Sequence, residues 1–257
     1  MSTISTSTFT EQRRFSHLHR NKSHDNFLML LVQRAVRFPQ LDIEYAMATV
    51  AELIWSPSKV YKLAQSRHEI KGHWSRDDPA FILILCAFII VDFLAFGFAL
   101  DEEWGLLRVI RHFIVGLGFF FLLGSVVGTS TWFLCNKYFQ ARHPHSSSSQ
   151  KVEWFYAFDV HCNAFLPAFL ILGVLQYLLL PLLVRGGVLP TLLSNSLHLA
   201  AALAYVHITV LGFLHLPFLN REKVTMLWNP AFVLVLLWFL LSLMNINCTR
   251  LFFLRIF

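Results

Sequence analysis

Five long apolar runs dominate the chain, at about residues 79–100, 112–134, 164–184, 188–211 and 230–246, with short polar stretches between them. Each can cross ~30 Å of hydrocarbon as a helix of about 20 residues. Hydrocarbon offers no partner to backbone N–H and C=O groups, so the runs are predicted as helices rather than strands. An odd number of spans puts the two termini on opposite sides.

The flank before the first run is patterned too. Within residues 41–55, Ile43, Met47, Val50 and Ile54 recur at helical spacing, with Glu44 and Glu52 on other faces. Ser56 and Pro57 then form a cap and first-turn proline for a second helix, which carries Lys59, Lys62 and Arg67 beside Val60, Tyr61 and Leu63. The expected fold is therefore an all-α integral membrane protein: five transmembrane helices preceded by amphipathic helices on the cytoplasmic face. A small soluble subdomain formed by those two helices is the alternative. Asp78-Pro79-Ala80-Phe81, Leu166-Pro167-Ala168-Phe169 and Asn229-Pro230-Ala231-Phe232 share a helix-start signature, with Asp78 and Asn229 as caps.

Composition sharpens this picture. The chain has 257 residues, is 56% hydrophobic with 26 Phe, and is only 14% charged, against about 25% for a soluble domain. Its 21 Lys and Arg are unevenly placed. With the N-terminus inside, sixteen fall on inner segments, eleven of them before Pro79. Only Arg108, Arg111, Arg185, Arg250 and Arg255 fall outside. This bias predicts a cytoplasmic N-terminus, a lumenal or external C-terminus, and contact with anionic lipid rather than nucleic acid. The division expected is a disordered cytoplasmic tail over 1–26 (a transit peptide being the alternative), interfacial helices over 27–78, a five-helix membrane domain over 79–247 and a lumenal tail over 248–257. The serine-rich stretch 145–149 reads as a linker.

Candidate chemistry is sparse. The four cysteines form no CxxC pair and read as small hydrophobes. Asp159 and His161, two apart, point to nearly opposite sides of a helix, which argues against a chelating pair. HExxH, nucleophile–base pairings and phosphate loops are absent from the sequence, so no catalytic residue, metal or cofactor is expected. Asp92, inside the first span, is read as snorkelling to the outer interface, with an intramembrane function as the alternative. Asn195, His198, Tyr205 and Thr209 line one face of the fourth span, either joining helices or lining a translocation path. Trp154, Phe155 and Tyr156 read as an interfacial aromatic belt, and Asn163 as the cap of the third span. Asn247-Cys248-Thr249 is a formal glycosylation sequon hard against the fifth span.

Several of these motifs occur together in one known pattern. They are Arg76-Asp77-Asp78-Pro79-Ala80-Phe81, Asn136-Lys137-Tyr138, residues 154–161 (WFYAFDVH) with Asn163-Ala164-Phe165, Gly212, and Leu216-Pro217-Phe218-Leu219. From about Phe38 onward the chain closely resembles the uncoordinated-fifty family of multi-pass Golgi membrane proteins. The resemblance implies five spans, a cytoplasmic N-terminus and Golgi residence, with inner nuclear membrane or endoplasmic reticulum as alternatives. It implies a non-enzymatic trafficking role: surface delivery of receptors such as nicotinic acetylcholine receptors, with large Arf guanine-nucleotide exchange factors as partners. RNA binding is attributed to some members, but the head carries no RRM or KH signature. The motif residues Arg76, Asp77, Asp78, Pro79, Asn136, Lys137, Trp154, Asp159, His161, Asn163 and Pro217 are expected to form a packing or docking element.

Overall fold

The computed structural model describes residues 41–100, 105–141 and 150–256. The expected tail over 1–26, the stretch 27–40 and the linker 145–149 lie outside the described residues. Helix α1 (Ile43–Trp55) starts at Asp42, whose carboxylate accepts the Tyr45 amide at 2.9 Å. Helix α2 (Pro57–Lys71) begins with Pro57 in its first turn, as expected, but Ser56 makes no side-chain cap bond.

The five spans follow. The first is α3 (Ala80–Leu100) and the second is α4 (Leu106–Tyr138). The third comprises α5 (Trp154–Phe169), a π-helical segment over Leu170–Leu175, and α6 (Gln176–Leu183). The fourth is α7 (Val188–Leu214). The fifth runs through α8 (Arg221–Val224), a 3-10 turn over Thr225–Trp228 and α9 (Asn229–Leu243), and α10 (Cys248–Ile256) comes last. All five are long and apolar enough to cross a membrane. The chain is a multi-pass membrane protein.

In space the spans run α3, α4, α5, α7, α9, so the third and fourth form the centre. Helices α1 and α2 dock on one end of the bundle, called the proximal end here: α1 on α3 and α5, α2 on α7. Ala46, Thr49, Leu53, Val60, Tyr61 and Ala64 are buried there. The more obvious apolar stripe faces outward instead. Ile43, Met47 and Ile54 are exposed, and Trp55 is 87% and Ile70 84% exposed.

The third span begins ten residues earlier than the apolar run suggested, because Asp159, His161 and Asn163 all find partners inside the protein. Asn163 therefore does not cap a helix but sits in the middle of one. Pro167 is likewise internal, and lacks the N–H that would bond the Asn163 carbonyl. The backbone re-registers into the π segment within one turn of it. At the fifth span, Asn220 rather than Asn229 caps the helical path, accepting the Lys223 amide at 3.2 Å. Of the three shared Pro-Ala-Phe motifs, only the one at Asp78 is a capped start: its carboxylate accepts the Ala80 amide at 2.9 Å.

The C-terminal segment expected as a tail is a helix tied into the distal end. Thr249 is fully buried; its amide donates to Ser194 Oγ at 3.0 Å, and the two hydroxyls lie 2.8 Å apart. The sequon residue Asn247 is buried, donating to the Leu183 carbonyl at 2.8 Å and accepting the Arg250 amide at 3.0 Å.

Candidate functional site

The loop between α2 and α3, residues 72–79, is where the family-like motifs converge. Three acidic or amide side chains at the start of α5 hold it. The Glu153 carboxylate accepts the Trp74 amide at 3.3 Å and the Ser75 amide at 3.4 Å. Six residues on, Asp159 accepts the Arg76 amide at 2.6 Å. Asn163 accepts from the Arg76 guanidinium at 2.6 Å. Positions 159 and 163 are four apart and share a helix face, so both can reach one residue. The guanidinium also lies over the Phe81 ring, 4.3 Å from its centroid.

Each residue of Arg76-Asp77-Asp78 has its own direction. Arg76 points into the bundle and is buried. Asp77 turns outward to Lys71 and to His73, the latter at 3.0 Å. Asp78 turns back to accept the Asp42 amide at 2.7 Å, tying the start of α1 to the start of α3. Trp74 stacks on His68, 4.1 Å between centroids, and reaches Tyr156 and Phe218 with its edges. Sequence reasoning missed Glu153 and Asp42, because a clamp on a distant loop has no local signature.

The remaining motifs frame the same end. Asn136 donates to the Val152 carbonyl at 3.0 Å and accepts the Val152 amide at 2.8 Å, closing the connection between α4 and α5. Beside it, residues 139–141 run antiparallel to 218–220. Ala141 donates to Phe218 at 3.1 Å and Asn220 to Phe139 at 2.8 Å. Tyr156 is not part of an interfacial belt: it is buried, and its hydroxyl donates to the Gly212 carbonyl at 2.7 Å. Tyr61 does the same to Ile208 at 3.1 Å, and burial raises its phenol above the usual tyrosine range. At Gly212 any Cβ would lie 2.9 Å from Val160 and 3.1 Å from Tyr61, so only glycine lets α2, α5 and α7 close together. Trp154 donates to Thr129 at 3.0 Å from a half-buried position.

Asp77, Asp78, Asn136 and Trp154 are half-buried, and the other motif residues fall into two groups. Arg76, Pro79, Asp159, His161 and Asn163 are buried and cannot touch a partner directly. Lys137 and Pro217 are exposed on the rim, as are Tyr138, Lys71, Lys59, Lys62, Lys151 and Arg221. The buried group shapes a loop, and the exposed group is a largely basic surface around it.

The intramembrane candidates separate as well. Asn195 joins helices, donating to Ser242 and the Ile246 carbonyl and accepting the Cys248 amide. Tyr205 meets His161 Nδ1 at 2.7 Å. Asp92 does not snorkel outward: half-buried, it lies against Gly173 and lines a partly open cavity of about 520 Å³ between the spans, together with His198 and Tyr205. The small residue alongside it, Gly173, belongs to the π segment of the third span. Asp159 and His161 diverge, as their spacing requires. Among the described residues no three His, Cys, Asp or Glu side chains gather as a metal would need.

A family model described as the UNC-50 family matches residues 31–257. The chain is 34% identical over 218 residues to a protein named "Protein unc-50 homolog" from Dictyostelium discoideum, covering 84% of this chain and 82% of that one. The homologue of the same name from Homo sapiens is 35% identical over 225 residues (85% and 83% of the two chains). The Danio rerio homologue is 36% identical over the same length, with the same coverage. No solved structure matches.

Proposed function

This chain belongs to the UNC-50 family, and from that premise we propose that it is a non-enzymatic Golgi membrane trafficking factor. Its role is to support transport of membrane receptors, such as nicotinic acetylcholine receptors, to the cell surface. The proximal end faces the cytoplasm and receives large Arf guanine-nucleotide exchange factors; the C-terminus is lumenal. The observation that carries this reading is the braced loop over residues 72–79. Buried groups from α5 hold it in one shape, so the exposed rim of Lys71, Lys137, Tyr138 and Pro217 is pre-organised for a partner. The placement of sixteen Lys and Arg supports the orientation. Trp55 and Ile70 rest in the headgroup layer beside the basic residues Lys59 and Lys62.

Proximity labelling from the N-terminus of the full chain tests this. Enrichment of Arf exchange factors and Golgi coat proteins is expected; labelling confined to other compartments contradicts it.

A second reading, solute or ion movement along Asp92 and His198, is favoured by their sharing one cavity. Against it stands the close packing of Leu85, Phe120, Cys162 and Leu166, all fully buried in one apolar cluster beside that cavity. Flux into proteoliposomes that is lost in Asp92→Asn would favour this reading over the first.

A further inference from the structure

Residues from all five spans and from α10 line the 520 Å³ cavity, which lies within the roughly 300–1,000 Å³ typical of small-molecule sites. Its wall is almost entirely aliphatic and aromatic, so its occupant is apolar over most of its length. Phe119, on that wall, is 59% exposed on the outer surface of the bundle. Its side of the bundle is where we expect an occupant to arrive sideways from the bilayer.

The few polar groups on the wall decide the chemistry. Among the described residues, no hydrogen bond or ion pair reaches the Asp92 carboxyl, an acceptor in its ionised form. His198 Nδ1 lies 2.9 Å from the Ser194 carbonyl, which can only accept. Nδ1 therefore carries the proton, and Nε2 of the neutral ring is an acceptor. Gln176 donates one amide N–H to Thr249 at 3.3 Å and keeps its second N–H and its carbonyl oxygen. Tyr205 is already engaged with His161. A carboxylate and an imidazole nitrogen, both acceptors, thus line one apolar chamber, and no hydrogen bond reaches the carboxylate. An uncompensated carboxylate within a membrane span is costly, and a cation or a proton must relieve it.

Backbone geometry agrees. A Cβ at Gly173 would sit 2.8 Å from Asp92 Oδ1, so the π segment presses its bare backbone against the carboxyl group. Irregular backbone of this kind inside a span recurs at binding sites.

We propose that this cavity binds a single membrane amphiphile whose head is a protonated amine, with the ammonium group on Asp92. The ammonium supplies the charge and the donor that Asp92 lacks, and the aliphatic body fills the aromatic chamber between the spans. A fatty acid would set a second carboxylate against Asp92, and a long-chain alcohol would leave its charge unpaired.

The test uses the full chain in nanodiscs of neutral phosphatidylcholine, so that surface charge does not concentrate the probe. A diazirine-bearing long-chain primary amine is photocrosslinked beside the matched alcohol and fatty acid, and the labelled peptides are mapped. The amine is expected to label the cavity segments of the third and fourth spans and to be displaced by unlabelled octadecylamine. Asp92→Asn should cut labelling about tenfold or more, the loss expected for one charge-assisted contact. Ala202→Phe, which fills the chamber but keeps the carboxylate, should cut it as well; thermal melting of each variant shows whether it is folded. Equal labelling by alcohol and amine, unchanged labelling in folded Asp92→Asn, or crosslinks confined to the lipid-facing surface would each overturn the assignment.

Discussion

Arg76 and Asp159, 83 positions apart in the chain, are joined by a 2.6 Å hydrogen bond from the backbone amide of one to the carboxylate of the other. That bond, with the one from the Arg76 guanidinium to Asn163, fixes the loop between α2 and α3 against the third span. Removing the carboxylate strands a buried amide next to a buried cation. Asp159→Ala should cost about 3 kcal/mol. Asp159→Asn keeps an acceptor and should cost less than half of that. Melting of the two variants in detergent, followed by size-exclusion fluorescence, checks the order.

Gly212 sets how closely α2, α5 and α7 approach. A methyl group there meets Val160 at 2.9 Å and Tyr61 at 3.1 Å, and both belong to the buried core. Gly212→Ala should destabilise by about 1–3 kcal/mol. The companion change Val160→Ala should restore part of the loss, which a double-mutant cycle reads directly.

Trp55 and Ile70 are large, apolar and over four-fifths exposed. If they rest in the headgroup layer, spin labels at 55 and 70 in the reconstituted protein should be relaxed more strongly by oxygen than by a water-soluble nickel chelate. A label at Lys62 should show the reverse. Equal chelate access at all three positions would mean that the two helices stand clear of the membrane.

The sequence was most legible where the solvent dictates pattern. Hydrocarbon demands about twenty apolar residues for a span, so all five spans were visible without any tertiary information. It failed where a partner far along the chain changes what a residue costs. Asp159, His161 and Asn163 looked too polar to lie within the third span, so its start was placed ten residues late. Arg76 and Tyr205, which satisfy them, are remote in sequence. Asn229 looked like a cap and Asn220 is the one that works, because a short helical turn precedes the long one. The α1 stripe of Ile43, Met47 and Ile54 was easy to see, yet the bundle takes the smaller Ala46 and Thr49 face. Periodicity cannot distinguish an apolar face that meets protein from one that meets lipid. Asp92 is conspicuous in the sequence, but the residue it lies against, Gly173 of the π segment, is some eighty residues later. Cys135 and Cys162, which read as small hydrophobes, are buried in the apolar core.

The central claim is that buried motif residues brace a cytoplasmic surface whose exposed rim does the docking. Affinity of a purified large Arf exchange factor for the full chain in nanodiscs, in wild type and in Lys137→Glu/Tyr138→Ala, tests it most directly. Both side chains are exposed, so the double variant should melt like wild type. Binding by wild type and a loss of about tenfold or more in the variant is the predicted result. Unchanged affinity in the folded double variant, or no binding by wild type, would contradict the claim.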